Sequence, residues 1–311
     1  MMDSILSAFL RSWEIRPLML LFLVGMGSLY SWGWWQLRQR SAAHRLPRRG
    51  DGLRRSIPLA VWWRLAAYWS GLFLIVLALM SPIDVFASQL FLIHMIQHLL
   101  LVMVVPPLLW VANPMPCLVW GLPPAMRGPA TGWLIKGQAG REYLRWVTSP
   151  GLVLLSLIML YWIWHDPMMY DAALRRPWVH DLEHLTFFGG AMLFWWHVTG
   201  AAPHIHGRFS HLVRAAYAIG FFPANMLTGM ALVFANEPFY SYYTTVPRIW
   251  GLSPLQDQRW GGIIMWVPGS MMMVLAGLII IYRRFQIEDQ QYPIGEKEWN
   301  KGDSMLAPGM D

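Results

Sequence analysis

FLIHMIQHLLLVMVV, residues 91–105, sets two histidines one helical turn apart in a stretch without Asp, Glu, Lys or Arg. His94 and His98, at i and i+4, share one face of a helix. The rest of that helix has almost nothing to offer water. Extended to Val111, the run is long enough at 1.5 Å per residue to cross a hydrocarbon core of roughly 30 Å. Pro106 and Pro107 remove two backbone donors near its end and predict a bend or a stop there.

Such runs recur along the whole chain. Seven spans are expected, at Leu18–Trp35, Val61–Met80, Val85–Val111, Pro150–Trp164, Trp178–Val198, Leu212–Phe234 and Trp260–Tyr282. Composition agrees: 56% of the 311 residues are hydrophobic, only 13% are charged, and 20 are Trp, the residue that lines membrane interfaces. The expected fold is all-α, a polytopic membrane helix bundle of about seven transmembrane helices. Residues 1–17 read as an interfacial segment, 18–285 as the membrane domain and 286–311 as a polar cytoplasmic tail. The first span is expected to stay as an anchor, because a long basic segment follows it.

Basic residues give the orientation. Arg38, Arg40, Arg45, Arg48, Arg49, Arg54, Arg55 and Arg64 crowd the first connection, and Arg127, Lys136, Arg141, Arg145, Arg208, Arg214, Arg283, Arg284, Lys297 and Lys301 fall on the same side. The other side holds only Arg11, Arg16, Arg175, Arg176, Arg248 and Arg259. The positive-inside bias puts the N-terminus outside and the C-terminus in the cytoplasm. The net charge of +7 then reflects topology and contact with anionic membrane lipid, not nucleic-acid binding. Cys117 is the single cysteine, which excludes an internal disulfide.

Ionisable side chains inside a bilayer are costly and mark function. His180 and His184 repeat the i,i+4 spacing in span five, within WVHDLEHLTFF (178–188), and His165 ends span four. With the stated topology all five histidines fall in the outer half. Met226, Met230 and Met265 lie near the outer ends of spans six and seven. Imidazole with thioether is a donor set that suits copper, above all Cu(I). A b-type haem held by an imidazole from each of two helices is the alternative. His180, Glu183 and His184 also form the H-x-x-E-H pattern of a class of zinc peptidases, but that reading leaves His94 and His98 unexplained.

Four stretches carry a family resemblance: SPIDVFASQLFLIHMIQHLLL (81–101), WHDPMMYDAAL (164–174), WVHDLEHLTFF (178–188) and DQRWGGIIMWVPG (257–269). In this order they resemble the multi-span cytochrome c oxidase assembly factor family CtaG of the caa3 type, from about span two through span seven. The resemblance implies a protein of the bacterial inner (plasma) membrane that matures a haem-copper oxidase, with copper delivered to the oxidase core subunit. Handing over copper makes and breaks no bond, so no enzyme is expected, and an upstream copper carrier on the outer face is an expected partner. Carried over by motif, the metal residues are His94, His98, His165, His180 and His184, supported by Asp84, Tyr170, Asp171, Glu183, Asp257 and Met265. A permanent structural subunit of a respiratory complex is the alternative role.

Overall fold

The computed structural model describes residues 11–43, 60–136, 138–207, 209–248 and 250–291. Most of the segment 1–17, the basic stretch 44–59 and the polar end from 292 lie outside these. Among the described residues every regular element is a helix. The chain runs through α1 (Pro17–Ala43), α2 (Trp62–Met80), α3 (Pro82–Ala87), α4 (Phe91–Leu99), a π-helical turn at Leu100–Val104 and α5 (Val105–Val111). It continues with α6 (Pro114–Gly121), α7 (Pro124–Lys136), α8 (Gln138–Val147), α9 (Pro150–His165), α10 (Pro167–Arg175) and α11 (Pro177–Thr199). The last elements are α12 (His211–Ile219), α13 (Phe222–Phe234), α14 (Tyr242–Thr245) and α15 (Pro254–Gln291).

Among the described residues five helical stretches are long and apolar enough to cross a membrane: Pro17–Arg40, Trp62–Met80, Phe91–Val111, His211–Phe234 and Pro254–Ile287. The pair Gly140–Val147 and Pro150–His165, bent by 49°, makes a sixth if it is one span. The expected span at 178–198 forms the 23-residue α11 but does not pass on apolarity, because it carries His180, Asp181, Glu183, His184 and His197. Most of its polarity is turned inward: Glu183, His184 and His197 are buried while Leu182 and Leu185 are exposed, and the exposed Asp181 lies in the first turns of the helix. The third span starts at Phe91, not Val85, since Pro82–Ala87 forms a separate short helix capped by the Ser81 hydroxyl. α15 runs on to Gln291, beyond the expected end of the membrane domain.

Pro106 and Pro107 neither end nor break the third span. The Val102 carbonyl would be served by residue 106 in an α-helix or 107 in a π-helix, and neither proline has an N–H. The Trp195 indole of α11 donates to it instead, at 2.9 Å. The same device recurs at Pro82: the Ala78 carbonyl takes the Gln97 side-chain amide at 2.8 Å.

Two apolar clusters organise the packing. One gathers Phe91, Leu157, Phe187, Phe194, Phe221 and Leu232 from α4, α9, α11, α12/α13 and α15's neighbours. The other joins α1, α2, α5 and α6 through Tyr30, Tyr68, Leu72 and Leu109. In lipid, close backbone approach replaces hydrophobic drive. A Cβ at Gly33 of α1 would stand 1.7 Å from the Cys117 carbonyl oxygen of α6. At Gly261 of α15 it would meet the Phe91 ring at 2.2 Å, so only glycine lets α15 lie against the start of α4.

Candidate metal centre

α4 and α11 bring their histidine pairs face to face. The His94 and His98 rings lie 4.3 Å apart, His180 and His184 4.2 Å, and across the helices His94–His180 are 5.1 Å and His98–His184 5.2 Å apart. Ligand atoms of His94, His180 and His184 fall within 4.8 Å of one another, as do those of His94, His98 and Glu183. Ligands about 2.0–2.1 Å from a tetrahedral ion are about 3.4 Å apart, so small rotamer shifts would close either group around one.

The polar atoms point the same way. Glu183 is fully buried, and neither of its oxygens has a hydrogen-bond donor. His98 Nε2 stands 3.7 Å from its Oε1, beyond hydrogen-bond range. The Nε2 atoms of His94, His98, His165, His180 and His184 are likewise buried and unpartnered. An unpaired carboxylate in such a place costs several kcal/mol, and a cation among the imidazoles removes that cost.

Ring orientation is fixed from behind. His94 Nδ1 lies 2.7 Å from the Tyr170 hydroxyl and 3.2 Å from that of Tyr243, and Tyr243 donates its own proton to the Ala87 carbonyl at 2.8 Å. Donation from His94 Nδ1–H to Tyr170, with Tyr170 donating onward to Tyr243 at 3.4 Å, satisfies every member of the chain. It leaves Nε2 as a lone pair facing the cluster. His165 Nδ1 lies 2.7 Å from the Tyr161 carbonyl, which can only accept, so its Nε2 is also a lone pair.

The other expected residues divide. His165 makes no ring contact with the four clustered imidazoles; it lines, with His98, Met95, Met103 and Met265, an adjoining cavity of about 40 Å³. Met226 and Met230 are half-buried on α13 and do not line that cavity. Asp257 is buried at the N-terminus of α4, where its two oxygens accept the Phe91 and Leu92 amides at 2.9 Å each. Asp171 accepts the Tyr242 amide at 3.2 Å and the Ser241 hydroxyl, holding the loop that carries Tyr243. Asp84 takes Gln97 Nε2 at 2.7 Å and Arg16 at 3.3 Å. Burial raises its carboxyl above the ordinary range, against the opposing pull of Gln97 and Arg16. Arg16 reaches Asp181 as well, at 2.6 Å, next to His180. Tyr243, Gln97 and Tyr161 were not expected from the sequence, and the 235–253 loop gives no periodicity that would have found Tyr243.

In this arrangement the rings leave no gap of macrocycle size between them. The four imidazoles touch one another, and the neighbouring cavity of about 40 Å³ is far below the roughly 300 Å³ of even a small ligand pocket.

Fold and site together define a polytopic membrane protein with a buried imidazole–carboxylate cluster that could hold a metal ion. Residues 28–286 match the family described as cytochrome c oxidase caa3 assembly factor (Caa3_CtaG), and the chain belongs to that family. It is 24% identical over 255 residues to an uncharacterised protein of Mycobacterium leprae, covering 78% of this chain and 37% of the relative. An uncharacterised protein of Mycobacterium bovis is 26% identical over 254 residues, with the same shares. The chain thus spans little more than a third of these curated relatives. No solved structure matches it.

Proposed function

We propose that the chain binds copper as cargo between α4 and α11 and delivers it to the core subunit of a haem-copper cytochrome c oxidase. The observation that carries this reading is Glu183, buried without a donor among imidazoles whose Nε2 atoms have no partner. Imidazole is a good copper donor, and copper heads the divalent affinity order. Met265, across the small cavity from His98, supplies a soft donor for the monovalent ion. Family membership supports the oxidase as recipient. Binding and release make and break no substrate bond, so the role is that of an assembly factor and not an enzyme.

The same reading includes α11 as a seventh span, the N-terminus outside, and the site in the outer half of a bacterial plasma membrane. The inward-turned polarity of α11 and the positive-inside bias support it. The test is His94→Ala with His98→Ala: copper retained by the purified protein, and copper in the oxidase of cells carrying the variant, both fall. Normal copper in both would sink the proposal.

A further inference from the structure

At the end of the bundle opposite the histidine cluster, a groove of about 760 Å³ opens between α15 and the ends of α2, α5 and α11. Met272, Leu275, Ala276 and Ile279 of α15 form an apolar wall, faced by Pro107 and Trp110. The rim is basic, with Arg64, Arg214, Arg283, His204 and His211.

Arg214 is held in place by its own bonds. Its Nε and Nη2 donate to the Val198 carbonyl in the last turn of α11, at 3.0 and 2.6 Å. Arg283 is exposed on α15, and its charge acts on Arg214. Among the described residues neither guanidinium has a carboxylate in ion-pair range. Two like charges with no carboxylate partner among the described residues therefore sit at the mouth of an apolar groove as long as several helical turns. A free anion would satisfy the rim and leave the wall unused; an apolar segment would do the reverse.

We propose that this groove is a site for an anionic phospholipid, with its phosphate on Arg214 and Arg283 and an acyl chain along Met272, Ala276 and Ile279 of α15. Basic pockets between helices on the cytoplasmic side are a common form of such sites. The Trp63 and Trp110 indoles, also lining the groove, suit the level where headgroup meets chain. The site is independent of the metal centre.

The test is native mass spectrometry of the full chain in neutral detergent, titrated with dioleoyl phosphatidylglycerol, dioleoyl phosphatidylcholine and inorganic phosphate. Phosphatidylglycerol is retained about 25-fold more tightly than phosphatidylcholine, since two basic residues each contribute about a factor of five. Arg283→Gln lowers its affinity about fivefold. Ala276→Trp, which fills the apolar wall, lowers it while leaving the Arg pair in place. Equal retention of the two lipids, or no effect of either substitution, overturns the proposal. Displacement by millimolar inorganic phosphate with no response to Ala276→Trp would assign the rim to a free anion and overturn it as well.

Discussion

Replacing Glu183 with Gln keeps the shape of the side chain and removes its charge. Ligand atoms of its group lie within 4.8 Å of one another. At that separation and an effective dielectric of about 20, the carboxylate stabilises a monovalent cation by about 3.5 kcal/mol. That corresponds to roughly 300-fold in Kd, reduced by the cost of keeping a buried carboxyl ionised. The metal-free protein should respond differently: no donor serves the carboxylate there, so the amide removes no native hydrogen bond and the melting temperature does not fall. The assay is Cu(I) competition against a chromogenic chelator in detergent, with thermal unfolding of metal-free samples run beside it. A Kd within about threefold of wild type would refute the electrostatic argument, since even the weakest geometry allowed by the cluster predicts a larger loss.

Tyr170→Phe removes the hydroxyl that fixes His94 and should weaken copper binding about 10- to 100-fold in the same assay, with little change in thermal stability. Trp195→Phe strips the Val102 carbonyl of its one donor and should cost about 1–3 kcal/mol, read by denaturant unfolding in mixed micelles. Asp257→Ala uncaps α4: hydrogen exchange at the Phe91 and Leu92 amides should accelerate, with about 1–2 kcal/mol lost in stability. If exchange at those two amides is unchanged, the cap is not what anchors the helix.

Helical spacing made the core of the site legible before any coordinates. Two i,i+4 histidine pairs can meet only if their helices are neighbours, and α4 and α11 are. The supporting carboxylates were harder, because sequence shows that an acid is present but not what it faces. Asp257 and Asp171 turn to backbone amides, and only Glu183 turns to the histidines. Tyr243 was invisible because it comes from a loop whose placement depends on Asp171, far away in sequence. α11 is the reverse case: its content looks too polar for a span by composition, and only the direction of its side chains shows which face carries the cost. Pro106 and Pro107 do not stop the span for a similar reason, since the Val102 carbonyl they leave without a backbone donor takes the Trp195 indole of another helix.

Arg16 joins Asp84 and Asp181 beside His180. On the proposed reading, a cation that comes to the cluster past this end of α11 meets two carboxylates already holding one positive charge. The guanidinium is tethered to its own chain, so it can swing aside for another cation and swing back without a moving domain. Neutral molecules and anions have no such exchange to make.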